Sequence, residues 1–187
     1  ARFGLMARIV LHWLRRINRA IALVIGIALL ACAGYVVLDI LLRRAGMPLR
    51  GGEDIAGYAM AIATSWGMAY ALRELGHVRI DILRSRLTGR LRATLDLVAL
   101  LALAGTVTAI AFRAWPVLER SILHGSRSNT ALQTPLAWVQ APWLAGWVWF
   151  ALVAWATFLC ALWLVLMRDE KAAEAAIGMT GEAEVHT

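Results

Sequence analysis

Residues 128–167, SNTALQTPLAWVQAPWLAGWVWFALVAWATFLCALWLVLM, form a run of forty positions without a single formal charge. A helix needs about 20 mostly apolar residues to cross the roughly 30 Å hydrocarbon core of a bilayer. Pro135 and Pro142 divide the run, and proline is favoured in the first turn of a helix, where its missing N–H has no partner to lose. We therefore predict a spanning helix over residues 142–167, preceded by a segment at the membrane surface.

Three more apolar blocks precede this run, and they predict spans over residues 17–42, 54–72 and 91–112. Because no water is available inside the hydrocarbon, a spanning segment must be a helix or a strand of a closed barrel. The blocks are continuous rather than alternating, which excludes a barrel. We predict an all-α membrane protein whose single four-helix domain covers residues 1–168. The remaining residues, 169–187, are predicted to be a loosely ordered cytoplasmic tail.

Composition and charge support a membrane protein of defined orientation. The 187 residues are 61% hydrophobic and 17% charged, whereas soluble domains are about 45–50% apolar and about 25% charged. The net charge of +7 does not indicate nucleic-acid binding, because the nineteen basic residues lie between or beside the apolar blocks. Thirteen of them fall on the side of the termini and the middle loop, against six on the other side. The positive-inside rule therefore places both termini in the cytoplasm.

Two segments outside the spans have the pattern of amphipathic interfacial helices. Residues 2–17 place apolar side chains at helical spacing, with arginines mainly on the other side. The middle loop, residues 76–89, has a pattern of the same kind. Helices of this kind lie in the headgroup layer with their arginines directed toward anionic phospholipid. We expect one such helix at the N-terminus and one in the middle loop.

Small residues recur at four-residue spacing along the second span. Such a stripe lets helix backbones approach closely, which is how membrane helices associate. Packing among the four helices of this chain explains the stripe, and a docking face for another subunit is the alternative. Shorter small-residue pairs occur in the first and third spans. The stripe consists of Ala59, Ala63, Gly67 and Ala71.

The few polar side chains near the spans have simple local interpretations. Asp39 and Arg43 are one turn apart and form a predicted pair at the end of the first span. Asp96 in the third span must either lie near one membrane interface or have a partner, for which Arg92, one turn earlier, is the candidate. The hydroxyls in the span centres are expected to bond to their own helices.

The sequence does not indicate an enzyme. All four histidines lie outside the spans, whereas a membrane haem site needs histidines inside facing helices. No HExxH motif, Cys/His cluster, Walker loop or GxSxG motif is present. We therefore predict no catalysis, no cofactor and no metal. A self-sufficient carrier is disfavoured as well, because such carriers place charged residues or broken helices at the bilayer midplane. An accessory membrane subunit fits best.

Three motifs then occur in order: GEDIAGY at residues 52–58, HVRID at 77–81 and TPLAWVQAPW at 134–143. With four spans of this length, the chain resembles the small membrane subunit of tripartite ATP-independent periplasmic (TRAP) transporters over about residues 15–168. The resemblance implies uptake of an organic acid across a bacterial inner membrane. A periplasmic binding protein would deliver the acid, and a large membrane subunit would move it with an ion gradient, usually sodium. This chain would be the scaffold beside the large subunit. The alternative is an accessory or anchor subunit of a redox or signalling complex.

The motif residues then receive hypothetical roles at the partner or lipid interface. Negative charge at the start of the second span complements the helix dipole, or faces a partner. In the middle loop, His77 and Asp81 are expected to pair with each other, and Arg79 to contact a lipid phosphate or a partner carboxylate. The alternative is an exposed turn organised by local ion pairs. Tryptophans favour the lipid–water boundary, and with the glutamine they form a periplasmic lip. These residues are Glu53 and Asp54; His77, Arg79 and Asp81; and Trp138, Gln140 and Trp143.

Overall fold

Four helices make up the structure, a computed structural model. It describes residues 2–47, 49, 51–73, 90–130 and 132–166, and the side chains in these ranges except those of residues 2–8, 73, 90 and 92. All four helices are long and apolar enough to cross a bilayer, and the described residues include no β-strand. For the described residues, the prediction of an all-α chain with four helices of membrane-spanning length is therefore confirmed. The helices are α1 (Arg2–Arg44), α2 (Gly52–Arg73), α3 (Arg90–Leu123) and α4 (Leu136–Leu166).

Helix α1 is a single uninterrupted element of 43 residues. At 1.5 Å per residue it is about 64 Å long, roughly twice the hydrocarbon thickness. The N-terminal amphipathic segment is helical, as predicted, but it continues into the first span without a break and is not a separate element. Its location in the headgroup layer stays a prediction. The predicted middle-loop helix, residues 76–89, and the tail, residues 169–187, lie outside the described residues.

The third and fourth helices extend beyond their predicted bounds. Helix α3 ends at Leu123 rather than near residue 112 and includes Pro116. Helix α4 begins at Leu136 rather than at 142. Membrane helices tolerate internal prolines because neighbouring groups satisfy the freed backbone atoms.

A tight connection between α3 and α4 explains where α4 begins. The backbone N–H of Ser128 donates to the carbonyl of Thr134, and that of Leu136 donates to Ser126, both over 3.0 Å. The first turn of α4 is closed by the N–H of Trp138, which donates to the carbonyl of Pro135. It is therefore Pro135, not Pro142, that stands at the start of the helix, and the predicted helix start at residue 142 is wrong.

Helix α4 is central to the bundle. It packs against both α2 and α3 and also touches α1, whereas α1 packs mainly against α2. The largest buried cluster lies where α2, α3 and α4 meet, and Phe150 is its largest fully buried side chain. The buried members of this cluster are Ala69, Leu72, Leu100, Ala104, Val107, Phe150, Val153, Ala154 and Ala161.

Helices α2 and α4 approach each other closely at Gly146. A Cβ built on this glycine would lie 2.3 Å from the Oγ of Ser65 and 2.8 Å from the Cδ1 of Trp66. Only a hydrogen fits between the helices at this point, so the glycine sets their separation. The indole N–H of Trp66 also donates to the carbonyl of Pro142 over 2.8 Å.

Polar side chains connect all four helices. Asn18 of α1 is 1% exposed, and its Oδ1 accepts a 2.8 Å hydrogen bond from the indole N–H of Trp149 on α4. Its Nδ2 donates to the backbone carbonyl of Ala69 on α2 over 3.4 Å. A third indole, that of Trp155, donates to the hydroxyl of Thr108 on α3 over 3.0 Å. These tryptophans therefore join helices rather than only mark the membrane boundary.

The hydroxyls in the spans bond to their own helices, as predicted. Each of four threonines donates to the carbonyl four residues earlier, over 2.7–2.8 Å. Such back-bonding satisfies the hydroxyl at membrane depth without a partner from outside the helix. The four are Thr64, Thr106, Thr108 and Thr157.

Candidate partner-binding surface

The small-residue stripe of α2 does not form the close helix contact within the chain. That contact involves Ser65 and Ala69, on the opposite side of α2 from Gly67. A Cβ built on Gly67 would meet nothing within 4 Å. Gly67 and the other three stripe residues, Ala59, Ala63 and Ala71, are all half-buried. The stripe therefore runs along the border between the packed side of α2 and its outer side.

The outer side of α2 is exposed from residue 57 to residue 64 and half-buried beyond it. Gly57 and Thr64 are exposed, Met60 is 64% exposed, and Gly67 completes the same face at helical spacing. We call these four residues the outer α2 face. Its two glycines and one threonine allow a helix of another chain to come close, which is the usual composition of a membrane helix interface.

Helix α1 adds a second apolar surface beside α2. Leucine, valine and isoleucine side chains stand out from it over more than two turns, and the most apolar stretch of α1 contains no buried residue. Inside a bilayer such side chains contact lipid or a neighbouring protein equally well, because lipid tails are as apolar as leucine. Among the most exposed are Leu23, Val24, Ile27 and Leu30.

The acidic pair begins α2, as its position in the sequence predicts. Glu53 is exposed and Asp54 is half-buried, and both lie in the first turn, where negative charge complements the helix dipole. Asp39 lies next to them: a Cβ on Gly52 would be 3.0 Å from its Oδ2. The end of α1 and the start of α2 thus bring three carboxylates to one end of the bundle, which we call the α1–α2 end.

The predicted pair between Asp39 and Arg43 is confirmed, with 2.9 Å between Oδ2 and a guanidinium nitrogen. Asp96 is 5% exposed, so other parts of the chain cover it. The side chain of Arg92, its proposed partner, lies outside the described residues.

The tryptophans near the start of α4 have different environments. Trp138 is 79% exposed, whereas Trp143 packs against a small buried cluster formed by Ala114, Leu118 and Leu144. Gln140 lies between them in the sequence, and its Oε1 is buried without a hydrogen-bond partner among the described residues. All three predicted residues belong to α4 itself, not to a lip preceding it.

Three predicted residues of the middle loop, His77, Arg79 and Asp81, lie outside the described residues. Among the residues that are described, no group of three or more His, Cys, Asp or Glu side chains is arranged to hold a metal ion.

Sequence analysis missed two residues that organise the bundle. Asn18 stands at the edge of the first apolar block, and a lone amide in a predicted span is itself a signal of an interhelix hydrogen bond. No sequence feature singled out Gly146, because other glycines also occur in the predicted spans and look the same in the sequence. Gly26 and Gly105 have nothing within 4 Å of a built Cβ, so only the packing distinguishes them from Gly146.

Comparison with protein families identifies the chain. The model of the DctQ component of tripartite ATP-independent periplasmic transporters matches residues 32–164, more than two thirds of the 187-residue chain. No curated protein and no solved structure matches it. DctQ is a family of transporter components, not of enzymes, which confirms the resemblance inferred from the three motifs. The chain therefore belongs to the DctQ family, the small membrane component of TRAP transporters.

Proposed function

We propose that this chain is a scaffold that packs beside the large membrane subunit of a TRAP transporter. In this role it supports ion-gradient-driven uptake, with sodium as the usual coupling ion, of an organic acid that a periplasmic binding protein delivers. The complex would lie in a bacterial inner membrane. Membership in the DctQ family supports the transporter over the alternative of a subunit in a redox or signalling complex.

The outer α2 face is the observation that carries the scaffold proposal. The chain uses Ser65 and Gly146 for its own close helix contact, and it leaves the space beside Gly67 open. Van der Waals packing and interhelical hydrogen bonds, rather than the hydrophobic effect, drive helix association in lipid, so a small-residue surface is the natural docking position. The aliphatic surface of α1 extends the contact area next to it.

The charge distribution of the loops supports an orientation for the assembled complex. With both termini in the cytoplasm, the α1–α2 and α3–α4 connections face the periplasm. Glu53, Asp54, Trp138 and Gln140 would then lie on the side where the binding protein arrives, and they are candidates for a transient contact with it. The middle-loop motif, residues 77–81, would face the cytoplasm, in reach of lipid phosphates and of the large subunit.

Co-purification tests the docking face directly. The chain carries an affinity tag and is expressed with the large subunit, and the large subunit retained after detergent extraction is quantified. We expect Gly67→Leu to reduce the retained amount severalfold, since a leucine side chain would separate the two helices. Gly105→Leu is the matched control, because Gly105 also has nothing within 4 Å of a built Cβ but lies on α3. If the Gly67→Leu and Gly105→Leu variants retain equal amounts of the large subunit, the large subunit does not dock on the outer α2 face.

Reconstituted vesicles test the role in transport. We expect no uptake from this chain alone, and uptake when the large subunit and the loaded binding protein are also present. Uptake by this chain alone would refute the scaffold proposal, and full uptake by the large subunit without it would show that the chain is dispensable.

A further inference from the structure

The uncharged stretches of α1, α2 and α3 do not lie side by side in the bundle. They cover residues 20–38 in α1, 55–72 in α2 and 97–112 in α3. At 1.5 Å per residue each is about 24–28 Å long, close to the roughly 30 Å of the hydrocarbon core. Each stretch therefore marks the part of its own helix that belongs in the hydrocarbon, and the contacts between helices show how the three stretches are aligned.

The end of the α3 stretch lies level with the interior of the α2 stretch. Ala114, which follows Arg113, belongs to the same buried cluster as Leu144 of α4. Two residues further along α4, Gly146 meets Ser65 of α2. Ser65 lies ten residues inside the α2 stretch, so Arg113 is level with a point about 15 Å from the end of that stretch.

The start of the α3 stretch is displaced in the same direction. Thr108 of α3 accepts a hydrogen bond from Trp155 of α4. The two helices are antiparallel, so Leu97, eleven residues before this contact, lies within about two residues of the level of Leu164. Leu164 packs in one buried cluster with Leu11 of α1. Leu11 lies nine residues before the α1 stretch begins, which is about 14 Å along the helix.

Charged side chains on the outside of α3 show what this displacement means in a bilayer. A bundle standing upright on the stretches of α1 and α2 would place Arg113 and Arg120 in the hydrocarbon. Both are exposed, and neither forms an ion pair with another described residue. Unpaired charge facing lipid is strongly unfavourable. Trp115, two residues past Arg113, is 59% exposed, and tryptophan favours the lipid–water boundary. The boundary beside α3 therefore lies near Arg113, not at the end of the helix.

We propose that the bundle contacts the bilayer obliquely, with its helix axes tilted by roughly 35–40° from the membrane normal. Helix α1 packs mainly against α2, and α3 packs against α4, so α1 and α3 are the two outer helices. About two interhelix distances of 8–10 Å separate them. A tilt of this size across that separation compensates a displacement of about 14–15 Å and brings the three stretches to one depth. Membrane helices tilt by up to about 40°. This inference is independent of the proposed role in transport and holds for either orientation of the chain.

Two exposed residues of α3 distinguish the oblique from the upright arrangement, because their depths are reversed. Val117 is 47% exposed and lies within the segment that packs on Leu144, so only an upright bundle places it deep in the hydrocarbon. Thr106 is exposed beside the contact with Trp155, nine residues past Gly146 and so level with the end of α2. An upright bundle places Thr106 at the membrane boundary, whereas an oblique one places it near the centre of the hydrocarbon.

Spin labels measure these depths in the purified chain. Ile27→Cys, Thr106→Cys and Val117→Cys are made singly in a background without the native cysteines, labelled with a nitroxide and reconstituted in dioleoyl phosphatidylcholine vesicles. Ile27 is 60% exposed inside the α1 stretch and is the reference, because it is deep in both arrangements. Collisions with oxygen and with a water-soluble nickel chelate give the depth of each label.

The order of the two α3 labels decides the result. We expect the Thr106 label to be as deep as the Ile27 label and the Val117 label to be about 10–15 Å shallower. A Val117 label as deep as or deeper than the Thr106 label would overturn the proposal. All three labelled variants should unfold in denaturing detergent at the same point as the cysteine-free chain, which shows that the labels leave the bundle intact.

Discussion

Replacing Gly146 with alanine tests whether this residue sets the distance between α2 and α4. The added Cβ would lie 2.3 Å from the Oγ of Ser65 and 2.8 Å from its Cβ. The hydroxyl can rotate away, but the Cβ cannot move without the backbone of α2. The third contact, Trp66, is held by its own hydrogen bond to Pro142. We therefore expect the two helices to move apart.

The magnitude is the sum of two opposing effects. Forcing an extra methyl group into a packed contact costs about 1–3 kcal/mol. Replacing glycine by alanine within a helix favours the helix by about 1 kcal/mol. Gly146→Ala should therefore lower the free energy of unfolding by up to about 2 kcal/mol, the difference between these two ranges. Gly105→Ala should show only the gain in helix propensity, because nothing lies within 4 Å of a Cβ built on Gly105.

Unfolding of the purified chain by increasing denaturing detergent, followed by tryptophan fluorescence, measures both variants. We expect Gly146→Ala to unfold earlier than the unmodified chain and Gly105→Ala to unfold at the same point or later. Ser65→Gly should restore part of the loss in the double variant, because it removes two of the three close atoms. Equal midpoints for the two alanine variants would refute the close approach of α2 and α4.

Three further predictions concern packing, the interhelix hydrogen bonds and orientation. Asn18→Leu removes the hydrogen-bond acceptor of the Trp149 indole, so it should lower the free energy of unfolding by about 1 kcal/mol in the same assay. A double-mutant cycle with Trp149→Phe should show that the effects of the two substitutions are not additive. Phe150→Ala should lower the free energy of unfolding by about 3–5 kcal/mol, because this residue is 1% exposed. Phe112→Ala should change it by less than about 0.5 kcal/mol, because this residue is 77% exposed. Equal losses of unfolding free energy in the two variants would refute the described core. Asn129→Cys, in a background without the native cysteines, should react with an impermeant maleimide added from the periplasmic side. If this cysteine reacts only from the cytoplasmic side, the proposed orientation is wrong.

The helix count and the local polar contacts were predictable because they depend on residues close in sequence. A run of about 20 apolar residues must form a helix in lipid, whatever its neighbours are. Asp39 and Arg43 meet because they are one turn apart, and Thr64 bonds to the carbonyl four residues earlier for the same reason. The three ordered motifs carried the family resemblance in the same way.

The exact starts and ends of the helices were less predictable. Pro135 and Pro142 are equally suitable for the start of a helix, and the contacts of the α3–α4 connection select the first. Likewise, the amphipathic pattern of residues 2–17 predicted a separate helix, yet α1 runs through that segment into the first span without interruption.

The sequence by itself determined that the protein spans a membrane four times and that it resembles a TRAP transporter component, because hydropathy and motifs are properties of contiguous residues. Only the tertiary structure decided which small residues pack within the chain and which remain open to a partner. Gly67, Gly105 and Gly146 are alike in sequence, but only Gly146 has a neighbouring helix against it. The physical reason is that close packing depends on how two helices are rotated toward each other, and this rotation is set by contacts between residues far apart in the chain, such as Asn18 with Trp149.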